Sequence, residues 1–301
     1  MSHSASDDRI TVVIVTRDRR TELAHTLDRM TALPERPPIL VVDNGSADGS
    51  AQAAACYPGV RVIRAAANLG AAGRNLAVQQ VSTPYVAFCD DDIWWAPDAL
   101  ARAADLLDAS PRLASVTGRI LVEPGGREDP ITPELRGSPV PAPPWLPGPA
   151  LLSILAGASM LRVAAFRQVG GFSPRLWLGG EEELLGLDLA AAGWWMTWAA
   201  DVTVYHAASQ VRDPRQRRIL GIRNTLWTAW LRRPAGGALR RTVAVLRAIP
   251  KDTASGTALI KAAAGLPWIV RERRVIPGQV EAWLRLLEAP QRDSPARRYV
   301  G

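Results

Sequence analysis

The sequence predicts an α/β fold: a mostly parallel sheet flanked by helices over residues 1–210, then a helical extension over 211–301. Three observations carry this. The apolar runs "ITVVIV" (10–15) and "ILVV" (39–42) are continuous and β-branched, as strands buried on both faces require. Between them, residues 21–33 place Leu23, Leu27 and Met30 at helical spacing, which completes a strand–helix–strand unit of crossover length. Polar motifs then fall at successive strand ends: "TRDR" after the first, "DNGSADGS" after the second and "DDD" after the fourth. Open parallel sheets bind ligands at those carboxyl ends.

The alternation continues along the chain. Residues 50–57 predict a short helix, 60–64 a strand, 70–81 a helix and 85–89 a strand. A helix over 97–108 has Pro97 suited to its first turn. Residues 123–150 are rich in proline and glycine and predict a long loop over one face, with 140–149 too proline-dense for regular structure. "GASMLRVAAFRQVGGF" reads as a strand and a short helix ended by Gly170 and Gly171. "EEELLGLDLAAAGW" reads as an amphipathic helix capped by Gly193, and "VTVYHA" as a late strand. In the last ninety-odd residues, "LGIRNTLWTAWLRR", "ALRRTVAVLRAI" and "GQVEAWLRLLE" each carry an apolar stripe.

With 48% hydrophobic and 22% charged residues, the 301-residue chain has the composition of a soluble globular protein, large enough for one α/β domain with an addition. Two cysteines without a C-x-x-C spacing argue against disulfide staples and a zinc ribbon, and fit a reducing cytosol. The opening "MSHSASDDRI" has no apolar core of the kind a signal peptide needs, and no uncharged apolar run is long enough to span a bilayer. The expected location is cytoplasmic, including the cytoplasmic face of the membrane. The net charge of +7 admits anionic partners, but the arginines are scattered and do not interleave with aromatics, so nucleic acid is not expected among them.

Each polar motif has an ordinary structural role beside a chemical one. Asp43 and its neighbours suit a turn or a helix cap, or hydrogen bonds to a nucleotide base or ribose. In "NLGAAGRNLAV", Gly70 and Gly73 permit close backbone approach, and Arg74 opens a helix where phosphate would be favoured. Asp90, Asp91 and Asp92 follow a buried strand directly. A divalent cation, Mn²⁺ or Mg²⁺, would relieve their mutual repulsion and offset charge on a departing diphosphate. In "GGEEELLGLDL" the glutamates suit the positive end of a helix, or one of them serves as general base after a flexible Gly179–Gly180 approach. His206 becomes a metal-ligand candidate once a cation is suspected. The "WW" pairs, Trp177 and Trp198 read first as packing, with a sugar-stacking role open to some of the eleven tryptophans.

Taken in order, "VVIVTRDR", "ILVVDNGSADGS", "NLGAAGRNLAV", "VAFCDDDIWW", "GGEEELLGLDLAAAGW" and "VTVYHA" resemble family 2 glycosyltransferases of the GT-A fold, most nearly the bacterial rhamnosyltransferase-like branch. The resemblance covers about residues 10–207. It implies that Thr16, Arg17 and Asp18 border the nucleotide and that Asp43 binds a uracil- or thymine-like base. Asn68, Gly70, Arg74, Asp90 and Asp91 join them in binding the nucleotide sugar. It makes Asp92 the direct metal ligand, with Asp90 nearer the ribose and His206 joining the metal site. The family's "ED" pair aligns with Glu181–Glu182, so the implied base is Glu182. Glu replaces the usual Asp here and Glu183 is adjacent, which leaves the choice open between Glu181 and Glu182. The implied reaction is metal-dependent inverting transfer of a sugar from a UDP- or dTDP-type donor to a hydroxyl on a small molecule, glycan or lipid-linked acceptor.

Two other readings share these features. A sugar-phosphate nucleotidyltransferase would show a glycine-rich basic loop after the first strand, where this chain has "TRDRR". A catalytically silent sugar-nucleotide-binding scaffold would not need Asp90, Asp92 and Glu182 together. Past residue 233, Leu239, Val243, Leu246 and Ile249 form one stripe, with Arg240, Arg241 and Arg247 elsewhere on the helix. The expected role is packing on the catalytic domain and shaping the acceptor site. The alternative is a basic amphipathic helix resting on an anionic membrane. A homodimer is also compatible with the sequence.

Overall fold

The computed structural model describes residues 7–207 and 213–293. The first half follows the predicted alternation: β1 (Ile10–Thr16), α1 (Arg20–Thr31), β2 (Ile39–Asp43), α2 (Ser50–Ala55), β3 (Val60–Arg64), α3 (Gly73–Val78) and β4 (Tyr85–Asp90). A single 3₁₀ turn, Gly70–Ala72, leads into α3. Then come β5 (Ile93–Trp95), α4 (Ala99–Ala109), β6 (Leu113–Val122), β7 (Arg127–Glu128), α5 (Thr132–Arg136), β8 (Ala150–Leu151), β9 (Ser159–Arg162), α6 (Val163–Gln168), α7 (Glu181–Ala191) and β10 (Trp195–His206).

The strands form one sheet in the order β3-β2-β1-β4-β9-β6-β10-β5, with β7 beside β6 and β8 beside β10. β3, β2, β1 and β4 are parallel, as the continuous apolar runs predict. Beyond β4 the sheet is mixed. β9 enters antiparallel between β4 and β6, β10 runs parallel to β6, and β5 closes the edge antiparallel to β10. The parallel character is thus concentrated in the β3-β2-β1-β4 half of the sheet.

Two strands escape a reading based on apolar runs. β6 is interrupted by Ser115, Thr117 and Gly118, all inside the protein; Thr117 and Ser159 satisfy each other through a hydroxyl pair at 2.7 Å. β5 has three residues, and Trp94 and Trp95 in it are buried. Pro97 lies outside α4, because Asp98 takes a left-handed φ of 64° and the helix starts at Ala99. α7 is buried on most of its circumference and is not amphipathic. The stretch 123–150 holds only β7, α5 and the start of β8, and 140–149 has no regular structure.

Five helices complete the described residues: α8 (Pro214–Arg232), α9 (Ala235–Ala248), α10 (Thr253–Ala264), α11 (Leu266–Glu272) and α12 (Gly278–Asp293). α8, α10 and α11 build a second apolar core with Leu176 and Leu184. α12 instead returns to the main core through Val280, Leu284 and Leu287, with Trp283 against Trp195 at 5.1 Å. α9 differs from expectation. It packs through Ala238 and Val245, while Leu239, Val243 and Leu246 point outward. No helix among the described residues is long and apolar enough to cross a membrane.

Candidate active site

Sheet register brings the sequence motifs to one place. Thr16 pairs with Asp43 and Val15 with Asp90, so β1, β2 and β4 end along one line. His206 arrives from across the sheet: it pairs with Ile93, and the Ala207 amide donates to the Asp92 carbonyl at 2.9 Å. The start of α7 and the 3₁₀ turn Ala156–Ala158 supply the facing wall. Together they enclose a cleft of ≈ 540 Å³.

The three aspartates face cations. Arg74 pairs with Asp90 while its guanidinium lies over the rings of Phe88 and Phe172. Arg19 donates to Asp91 at 2.9 Å and to Asp92 at 3.0 Å. Asp91 is further held by the Thr16 hydroxyl at 2.9 Å, and burial pushes its carboxyl up to about 7 against the pull of Arg19. Asp90 is the accessible member, with 42% of its side chain exposed against 7% for Asp92. Gly157 makes room for it, since a Cβ there would lie 2.8 Å from Asp90 Oδ2.

His206 stands between two carboxylates, with Nε2 3.8 Å from Asp92 Oδ1 and Nδ1 3.8 Å from Asp129 Oδ2. A carboxylate behind the ring orients a ligating histidine. Among the described residues, no group of three or more His, Cys, Asp or Glu side chains could hold a metal by itself. Asp92 and His206 form a two-donor set of carboxylate and imidazole. Such a pair would fit a divalent cation only if substrate oxygens and water supplied its remaining ligands.

Glu181 and Glu182 line the opposite wall. Glu181 is buried, and its Oε2 has no hydrogen-bond partner among the described residues. Glu182 keeps access to the cleft, and its Oε1 accepts from the Ala156 amide. Dehydration and then the neighbouring Glu181 charge push Glu182 up to about 8; Glu181 is also raised, chiefly by burial. Glu183 lines a separate small cavity with Glu134 and Leu284.

The expected residues divide into two groups. Thr16, Arg17, Gly70, Arg74, Asp90, Asp91, Asp92, Glu181, Glu182 and His206 line the cleft. Asp18, Asp43 and Asn68 do not; they tie its loops. Asp18 accepts from the Ala47 amide at 2.7 Å, and buried Asp43 accepts from the Ser46 amide at 3.1 Å. Asn68 accepts from the Gly70 amide at 3.0 Å, and its carbonyl accepts from Trp177 Nε1 at 3.2 Å. Gly70, at φ 58°, is needed where the backbone meets Trp177: a Cβ would sit 2.2 Å from the Trp177 carbonyl. Among the described residues, no tryptophan lines the cleft.

Several residues at the cleft lie outside the sequence expectation. Arg19 closes the "TRDR" motif, beside the expected Thr16, Arg17 and Asp18. Asn44 sits beside Asp43, donating to the Gly70 carbonyl at 3.1 Å. Arg217 reaches the cleft from α8, and Asp129, in the proline-rich stretch, stands behind His206 without lining the cleft; nothing local marks either. Asn224, also on α8, donates to the carbonyls of Leu176, Leu178 and Gly179. The Gly179–Gly180 approach is therefore pinned by the C-terminal extension and is not the flexible loop its glycines suggest.

Comparison with known proteins places this geometry. The family model "Glycosyl transferase family 2" matches residues 11–169. A Mycobacterium tuberculosis protein, "N-acetylglucosaminyl-diphospho-decaprenol L-rhamnosyltransferase", is 29% identical over 284 residues, 79% of this chain and 91% of its own length. Among solved structures, mannosyltransferase PcManGT from Pyrobaculum calidifontis, in complex with GDP-Man and Mn²⁺, superposes with a TM-score of 0.57 at 19% identity, covering 93% of this chain and 85% of its own. TarS 1-349 from S. aureus gives 0.60 at 17% identity, covering 88% of this chain and 82% of its own. These two structural likenesses establish the fold.

Proposed function

Since the chain belongs to glycosyl transferase family 2, we propose that it moves a sugar from a UDP- or dTDP-type donor to an acceptor hydroxyl, with inversion and with a divalent cation in the site. One observation carries this reading. A single cleft at the carboxyl ends of β1, β2 and β4 sets arginine-paired aspartates and His206 on one wall and two dehydrated glutamates on the other. The first wall suits a diphosphate and the second a proton acceptor. The nucleotidyltransferase alternative falls with the family membership.

Arg17, Arg19, Arg74 and Arg217 give the cleft its positive side, which suits the diphosphate through planar bidentate contacts. Asp92 and His206, with Asp90 alongside, would hold the cation, which supplies charge neutralisation for the leaving diphosphate. Glu182 is the better placed base, because it reaches the cleft and its Oε1 is held by the Ala156 amide. It takes the proton of the acceptor hydroxyl. The freed oxygen bonds to the anomeric carbon from the side opposite the diphosphate, and the bond to the diphosphate breaks with its electron pair leaving on the phosphate oxygen. A single displacement inverts the centre. The M. tuberculosis relative supports a deoxyhexose donor and an acceptor carried on a lipid diphosphate.

The test combines binding with turnover. Calorimetry should show dTDP or UDP uptake strengthened by Mn²⁺ in the wild type and in Glu182→Gln, and weakened in Asp92→Ala. Product should form with the wild type alone. Nucleotide uptake indifferent to Mn²⁺ would overturn the metal assignment. Binding without product for any sugar nucleotide and lipid-linked acceptor would favour the silent scaffold.

A further inference from the structure

All eight exposed large apolar side chains among the described residues lie beyond residue 238. Leu239, Val243 and Leu246 follow one another at intervals of four and three on α9, so they share a face. Ile260, on α10, and Val270, on α11, are each 73% exposed, and Leu266 lies one turn before Val270. Leaving so much aliphatic surface in water is costly, and such patches mark interaction sites.

The same segment is strongly basic. Residues 235–275 hold eight arginines and lysines and two acids, Asp252 and Glu272. Both acids are bridged by arginines from outside the segment, Arg218 and Arg175. Arg247, Lys251, Lys261, Arg271 and Arg274 are exposed. This charge selects the occupant. In a two-fold contact with a second copy, the patch would meet itself and set like charges together. Opposite anionic lipid, the aliphatics enter the boundary between headgroups and acyl chains while the long cationic side chains stay with the phosphates.

We propose that α9, α10 and α11 form a docking surface for an anionic membrane, so that the enzyme rests on the bilayer without spanning it. Electrostatic attraction brings the basic segment to the surface, and the apolar side chains hold it there. The proposal stands apart from the donor and metal assignments, because it invokes no residue of the cleft.

The test is flotation of the full chain, with no donor or cation, on phosphatidylcholine vesicles and on vesicles containing about a quarter phosphatidylglycerol. Recovery with the anionic vesicles alone is expected, falling as NaCl rises from about 0.1 to about 0.5 M. The variant Leu246→Ser/Ile260→Ser/Val270→Ser should lose binding at least about tenfold. Its melting temperature and turnover of a soluble acceptor should be unchanged, since the three side chains are exposed. Equal recovery with both vesicle types, or a triple variant that floats like the wild type, would overturn the proposal. So would a wild-type dimer in sedimentation that the triple variant converts to monomer without loss of flotation, which would assign the face to a second copy.

Discussion

At Glu182, dehydration and a second carboxylate act in the same direction. In the proposed mechanism this makes Glu182 a stronger proton acceptor than a solvated glutamate, and general-base help of this kind is worth roughly 10² to 10⁴ in rate. In the unliganded enzyme the groups that face Glu182 are Glu181, Asp90, Arg74 and the Ala156 amide. The expected profile of kcat/KM therefore rises with pH and levels above about 8, and initial rates between pH 6 and 9 check it. Glu182→Gln should lower kcat by the same roughly 10² to 10⁴ and leave donor binding intact. A stability effect of opposite sense accompanies this. A carboxyl raised on folding binds protons more readily in the native state, so its stabilising contribution is present at low pH and is lost as pH rises from about 4.5 to about 8. Glu182→Gln should melt higher than the wild type at pH 9, and the gap should close toward pH 4; differential scanning calorimetry reads both.

The elements that carry the site depend on close contacts between them. The turn Ala156–Ala158 touches both walls, as Ala156 holds Glu182 and Gly157 leaves space for Asp90. A Cβ at Gly157 would also lie 2.6 Å from Ile93 Cδ1. Gly157→Ala should displace Asp90 and Ile93 together, costing about 1–3 kcal/mol in stability by urea titration and most of the donor affinity by calorimetry. On the other wall, α8 holds the 176–179 backbone through Asn224. Asn224→Ala leaves those carbonyls without their donor, an expected loss of about 1–3 kcal/mol. Because the segment feeds directly into α7, kcat should fall while the nucleotide Kd is nearly unchanged. Unaltered kcat would show that α8 plays no part in placing the glutamates.

Across the whole molecule, the C-terminal extension is not a removable appendage. α12 returns to the main core through Val280, Leu284 and Leu287, and Arg233 pairs with Glu281 at 2.9 Å and Glu288 at 2.6 Å. Arg232 bridges to Asp188 of α7. A chain ending after Arg233 would expose that apolar surface and orphan the paired charges. It should melt without a cooperative transition and bind apolar dyes, where the full chain does not.

The sequence by itself determined the elements whose physics is local. The continuous apolar strands 10–15, 39–42 and 85–89 declared a parallel sheet, because a strand covered on both faces carries no alternation. The polar motifs pointed to Arg74, Asp90, Asp92 and His206 as candidates, and the family resemblance added Thr16 and Glu182. Tertiary structure alone decided what those residues face. β6 hid behind buried Ser115 and Thr117; the Thr117 hydroxyl is satisfied by Ser159 on a partner strand 42 residues away. Asp43 and Asn68 tie loops, Asn224 pins a segment 45 residues distant, and the α9 stripe points outward. Each of these depends on which surfaces meet after the chain has closed on itself. That meeting is settled by packing between elements, to which periodicity and motif spacing are blind.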